Sequence, residues 1–226
     1  MSDAPAVLLL HGFGTSAART WGENGWLDLI GVDLGREVIA PDLLGHGSSP
    51  KPHDPAAYRE MNALVAAALP DEPVDAVGFS LGSRILLELA IEDPSRFRRL
   101  ILSGAGANLF QSSESNLVQR ALRGEADPSN PVARYFADLA KDPDSDPEAL
   151  AALLDNHGTP LTAEMLAVVT CPTLVVLGDN DFAGPADPLV AALPNAELVT
   201  LTRTDHFATP KSFHFIDAAL DFLSRP

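Results

Sequence analysis

One serine stands between two glycines in Gly78-Phe79-Ser80-Leu81-Gly82, where the apolar run VDAV at 74–77 gives way to RILLELA at 84–90. A serine hydroxyl is a poor nucleophile unless a base removes its proton and a third group orients that base. The pattern G-x-S-x-G serves such chemistry when it closes a strand and opens a helix. The serine then takes a strained backbone, and residues larger than glycine on either side would collide with the adjacent strand and helix. By chance the pattern arises in roughly one chain in fifteen of this length. Its place between an apolar strand and an apolar helix argues against a small residue that merely eases a turn.

The base is expected at His206, in LTRTDHFATP, a loop between the last apolar strand and the last helical pattern. Imidazole titrates near pH 6.5, close to the optimum for a base working at neutral pH. The other histidines fit less well: His214 falls within the last helix, and His53 and His157 sit in proline- and glycine-flanked loops. His11 and His46 belong to separate motifs. An orienting carboxylate is offered by LVVLGDNDFAGPAD, with Asp179, Asp181 and Asp187. Asp187 is placed to start or cap the following helix. Asp205 adjoins His206, and consecutive side chains diverge. The loop after RLILSG, at 105–108, carries no carboxylate. Spacing leaves Asp179 and Asp181 both open. Acyl transfer also needs backbone N–H donors aimed at the developing oxyanion. These are expected from Leu81, which follows the serine, and from Phe13 in the glycine-flanked stretch His11-Gly12-Phe13-Gly14.

The elements that must position these residues are legible as short apolar runs. AVLLL (6–10), EVIAP (37–41), VDAVGF (74–79), RLILSG (99–104), TLVVLG (173–178) and ELVTLT (197–202) read as strands without alternation, as expected where both sheet faces are covered. Stretches 58–69, 81–92, 186–193 and 211–223 read as amphipathic helices between them. Alternating βα units imply a parallel sheet, and ligands bind such a sheet beyond the carboxyl ends of its strands. All the loops named above fall at that end. From 105 to 169 no strand is convincing. Helical pieces near 115–123, 132–141 and 147–156, punctuated by DPSNP and the exposed turn DPDSDP, read as an inserted helical cap.

The 226 residues suit one domain, with core 1–104 and 170–226 and cap 105–169. A formal net charge of −16 with three lysines repels phosphate backbones and anionic lipid, so neither nucleic acid nor a membrane surface is an expected partner. The only cysteine, Cys171, permits a reducing compartment and is expected as a small buried residue at a strand entrance. MSDAPAVLLLHG lacks a signal-peptide pattern and no run approaches a membrane span, so the expected location is cytoplasmic. Histidine and carboxylate spacings do not suit a metal, and no metal or cofactor is expected.

Together these segments resemble the α/β-hydrolase family. HGFG resembles its oxyanion loop, PDLLGHGSS (41–49) its D-x-x-G-H-G-x-S segment, GFSLG its nucleophile elbow, GDND its acid turn and DHF its histidine loop. The resemblance implies an α/β fold, doubly wound, with a mostly parallel sheet of about six strands and an inserted helical cap. It implies Ser80 as nucleophile, Asp181 as acid (the final position of G-x-x-D), His206 as base, and the N–H groups of Phe13 and Leu81 as the oxyanion hole. His46 is then structural, its ring tying loops together. The family's usual N-terminal hairpin has no counterpart here, so EVIAP is expected at a sheet edge. The expected activity is hydrolysis of a small or medium, largely uncharged carboxylic ester by a monomer or homodimer. The rivals are the same triad acting on a carbon–carbon bond, lactone or amide, and a ligand-binding protein on the same fold.

Overall fold

In the computed structural model, which describes residues 4–111, 115–127, 129–139, 141, 145–156 and 158–225, the apolar runs form six strands: β1 (Val7–Leu10), β2 (Val38–Ile39), β3 (Val74–Phe79), β4 (Phe97–Ser103), β5 (Thr173–Gly178) and β6 (Ala196–Leu201). They make one sheet in the order β2-β1-β3-β4-β5-β6, with every neighbouring pair parallel. EVIAP does lie at the edge, but only Val38 and Ile39 pair. β4 begins two residues earlier than the apolar run suggested, because Phe97 pairs with Val74 across an irregularity at Val74/Asp75.

The helices are α1 (Trp26–Asp28), α2 (Met61–Ala67), α3 (Leu81–Glu92), α4 (Ser115–Leu122), α5 (Pro131–Leu139), α6 (Pro147–Asp155), α7 (Ala163–Leu166), α8 (Asp187–Ala192) and α9 (Phe213–Ser224). The helix expected over 58–69 starts with a 3₁₀ stretch, Pro55–Glu60, capped by Asp54, and only then becomes α2. Two π-helical turns, Ala18–Gly22 and Leu29–Asp33, flank α1 and had no counterpart in the sequence reading. The four helices α4–α7 all fall between β4 and β5. His157 and part of DPDSDP lie outside the described residues.

β1, β3 and β5 are buried along their whole length, so successive residues of the central strands serve two cores. Leu8, Leu10, Ala76, Leu100, Leu102, Val175 and Leu177 pack with α2, α3 and α8 residues, including Leu86 and Leu189. Val7, Leu9, Val77, Phe79, Ile101, Leu174 and Val176 pack on the other face against Trp21, Trp26 and α9. Cys171 is only partly buried, two residues before β5, so it is less enclosed than expected. No helix among the described residues is long and apolar enough to cross a membrane.

At the amino end of the sheet one ionic group is fully enclosed. Asp75, on central strand β3, receives Arg36 Nη2 at 2.7 Å, with side-chain exposures of 0% and 5%. Arg36 also donates to the carbonyl oxygens of Pro5, at 2.7 Å, and Leu223, at 3.3 Å. It thereby ties the chain before β1 to the end of α9. Without Arg36, buried Asp75 loses its direct hydrogen bond and keeps only Arg98 and Arg99, each 3.9 Å away. Arg36→Met is therefore expected to lower unfolding free energy in chemical denaturation by about 3 kcal/mol. Arg98→Ala, which removes a more exposed guanidinium 3.9 Å from the same carboxylate, is expected to cost less than about 1 kcal/mol.

Candidate active site

Ser80 lies between the last residue of β3 and the first of α3, with φ 53° and ψ −109°. Left-handed φ in a non-glycine residue costs on the order of 1–3 kcal/mol and persists only where the surroundings enforce it. Here they do. A Cβ on Gly78 would lie 2.6 Å from Ser83 N, and one on Gly82 would run into the Leu10 carbonyl, so strand and helix meet only because both positions are glycine. Ser80 N–H donates to the Ser103 carbonyl at 2.8 Å. Ser83 Oγ donates to that carbonyl at 2.8 Å and accepts from Ser103 N–H at 3.0 Å, while Ser103 Oγ donates to Gly78 O at 2.8 Å. Sequence reading missed these two buried serines. For Ser103 the only sequence signal was a hydroxyl closing the apolar run LIL at 100–102, and Ser83 gave none.

The loop after β6 brings His206 to the serine, with Nε2 3.0 Å from Ser80 Oγ. Its Nδ1 lies 2.8 Å and 3.0 Å from the two carboxylate oxygens of Asp181, in the turn after β5. With Asp181 ionised, Nδ1–H donates to the carboxylate and Nε2 is free to accept from the hydroxyl. The Asp181 side chain is fully buried and also accepts from Ala183 N–H at 2.8 Å. Asp179 points elsewhere: it is exposed and accepts from Thr204 N–H at 3.2 Å. Asp187 starts α8, and Asp205 accepts from Ala208 N–H. Of the carboxylates left open by spacing, only Asp181 meets the imidazole. His214 is exposed on α9.

Phe13 and Leu81 both line the cavity in front of Ser80, and among the described residues their N–H groups donate to no protein acceptor. The first loop comes close because it is glycine-rich. A Cβ on Gly12 would lie 2.8 Å from the Phe79 ring and 3.5 Å from Ser80 Cβ. Behind it, His11 Nδ1–H donates to Gly12 O at 2.8 Å and Nε2 accepts from Leu43 N–H at 3.0 Å, stitching this loop to the segment after β2. His46 packs edge-on to His11 and Phe13 and donates Nδ1–H to Leu44 O. Asp42 accepts from Ala17 N–H and from Ser48 N–H and Oγ–H. Burial opposes ionisation of that carboxyl, but these hydrogen bonds hold it below the usual carboxylate range. Burial pushes His11 down, and burial together with neighbouring His11 pushes His46 down to about 3. Both rings brace the loops as neutral groups.

The cavity measures about 980 Å³ and reaches from Thr15 and Asn24 past Ser80 to Asn62 and Gly158. Phe13, Phe79, Leu81, Phe182 and Phe207 all line it. The walls are more polar than expected. Arg19, Arg59, Arg84 and Lys211 face it together with Glu23 and Glu88. Arg84 pairs with Glu88 at 2.8 Å, and Asn62 donates to Glu88 at 2.9 Å. Tyr135 and Phe136, from α5, close it from above the loops, with Phe136 edge-on to Phe13 and Tyr135 stacked on Phe207 at 3.4 Å.

A model of the alpha/beta hydrolase family matches residues 7–222. The chain belongs to that family. One relative is an uncharacterized protein of Mycobacterium tuberculosis, 40% identical over 109 residues, which are 46% of this chain and 30% of the other. The chain thus spans less than a third of the length of that relative. A pimeloyl-(acyl-carrier protein) methyl ester esterase of Neisseria meningitidis is 28% identical over 240 residues, covering 91% of this chain and 88% of the other. Among solved structures, a 2-hydroxy-6-oxo-6-phenylhexa-2,4-dienoate hydrolase from Rhodococcus superposes with a TM-score of 0.73 at 24% identity, over 99% of this chain and 91% of the other.

The neutral histidines give this chain an acid-sensitive frame. An unfolded histidine takes its proton near pH 6.5, whereas folded His46 resists until about 3. The stability it contributes is complete above pH 6.5 and is lost as pH falls from there toward 3, at about 1.4 kcal/mol per pH unit. Unfolding free energy measured between pH 7 and 4 should therefore fall with pH, and His46→Gln should make that slope shallower by about one proton.

Proposed function

We propose that the protein hydrolyses a carboxylic ester through an acyl-enzyme on Ser80. The observation that carries this reading is the unbroken hydrogen-bond relay from Ser80 Oγ through His206 to buried Asp181. Ser80 attacks the acyl carbonyl while His206 Nε2 takes the hydroxyl proton. Asp181 holds the tautomer and stabilises the imidazolium that forms. The N–H groups of Phe13 and Leu81 receive the oxyanion. His206 returns its proton to the departing alcohol, then activates the water that releases the acid and restores the serine.

In this reading the segment 105–169 is a cap over a core of 1–104 and 170–226. Its helix α5 meets both the oxyanion loop, through Phe136, and the histidine loop, through Tyr135. An ester is also what the Neisseria relative's name specifies. The polar cluster of Arg84, Glu88 and Asn62 widens the acceptable substrate beyond a purely apolar acyl group.

Two substitutions test the mechanism. Ser80→Ala should lower kcat toward activated esters on the order of 10⁶-fold. Asp181→Asn, which keeps the shape but favours the wrong tautomer, should lower it about 10⁴-fold. Circular dichroism should show both variants folded. Near-normal turnover by Ser80→Ala would exclude the reading.

A further inference from the structure

The aromatic residues of this chain are unevenly spent. Of 10 Phe, 2 Tyr and 2 Trp, seven line the cavity in front of Ser80. Four of these gather around one side of it. Phe182 lies 4.3 Å from the His206 ring at a 34° tilt, and Phe79 lies 4.9 Å from it at 39°. Phe207 stands edge-on to His206 and 5.9 Å from Phe182, with Tyr135 stacked behind it. Phe182, which lines the cavity, is nevertheless 52% exposed. A large apolar ring left open in a concave site is a surface for a ligand.

Proton transfer decides which part of the substrate meets that ring. His206 receives the Ser80 proton on Nε2 and must deliver it to the departing oxygen, so the departing group lies on the histidine side of the serine. That side is furnished by the loops after β5 and β6, which carry Phe182 and Phe207. The aliphatic and polar lining, Met61, Asn62, Arg84, Ile85 and Glu88, comes instead from α2 and α3. We propose that the group this site expels is an alcohol bearing a planar aromatic ring, which docks on the open face of Phe182 beside Phe207. The proposal rests on the ester-hydrolase reading. In the step, the C–O bond to the aromatic alcohol breaks as the bond from Ser80 Oγ to the acyl carbon stays formed. The serine's proton leaves on the alcohol, and water later releases the acid.

Four esters test it: benzyl acetate, cyclohexylmethyl acetate, methyl phenylacetate and methyl cyclohexylacetate. Within each pair only the ring changes, and each kcat/KM is divided by that ester's rate constant for hydroxide-catalysed hydrolysis to remove the inductive pull of phenyl. Burial alone favours the larger cyclohexyl ring, so a preference for phenyl reports ring stacking. Benzyl acetate should exceed cyclohexylmethyl acetate in kcat/KM about threefold to tenfold, the range set by aromatic pair energies. The pair with the ring on the acid side should show no phenyl preference. Phe182→Leu should bring the first ratio to one or below while Ser80 still reacts with a fluorophosphonate, which shows that the site remains assembled. Equal turnover within the first pair, a phenyl preference on the acid side, or a ratio untouched by Phe182→Leu would overturn the aromatic leaving group alone. Turnover of none of the four would overturn the ester reading with it.

Discussion

Ser80 is held at φ 53° and ψ −109°, a conformation that an unsupported serine would leave, and much of the neighbouring structure exists to keep it there. The two glycines let α3 start against β1 and β3 with no side chain between them. The hydroxyls of Ser83 and Ser103 close the remaining gap to β4. Central placement in a parallel sheet matters for the same reason. β3 has paired neighbours on both sides, so the turn at its end cannot relax by shifting the strand. The strain is local and its support is the whole sheet.

The loops that complete the site are braced by different means, suited to what each carries. The Asp181 turn is held by its own backbone, with the carboxylate accepting from Ala183 N–H. The His206 loop is followed by a 3₁₀ turn, Thr209–Lys211, whose Pro210 carbonyl accepts from Trp26 Nε1 at 2.8 Å. Trp26 itself is wedged between Trp21 and Phe215. The Phe13 loop rests on two histidines that burial keeps neutral, so its position does not depend on a charge that would need solvent. Farther out, exposed His53 lies between Asp146 and Glu148, joining the segment after β2 to the start of α6. The hydrogen bond that His53 donates to Asp146 raises its pKa, in contrast to the buried rings.

The strands, their parallel pairing and the three loops bearing Ser80, Asp181 and His206 were legible because each rests on a local pattern: an apolar run, a glycine pair, a turn. β3, α3 and β5 even match in their boundaries. The choice between Asp179 and Asp181 was not local, since spacing admits both and only the position of the imidazole separates them. The π-helical turns escaped because Trp21, Trp26 and Ile30 recur at intervals of five and four, and their backbone bonds reach back five residues, as from Glu23 N–H to Ala18 O. The roof of the cavity was hidden for another reason. That Tyr135 stacks on Phe207 depends on how α5 folds back over the sheet, which periodicity within α5 does not encode. The cavity's charged wall was invisible on the same grounds, because Arg19, Arg59, Arg84 and Lys211 come from four separate segments.

All of these braces have one consequence in common if the account is right: a serine that is abnormally nucleophilic. The direct measurement is intact-mass and peptide mapping after exposure of the native protein to a fluorophosphonate, which reacts with an activated serine and ignores an ordinary one. A single stoichiometric adduct on Ser80, absent when His206 is replaced by alanine, is the expected result. An unlabelled Ser80 in the folded native protein would contradict the account, and would leave the relay from Ser80 to Asp181 without chemical consequence.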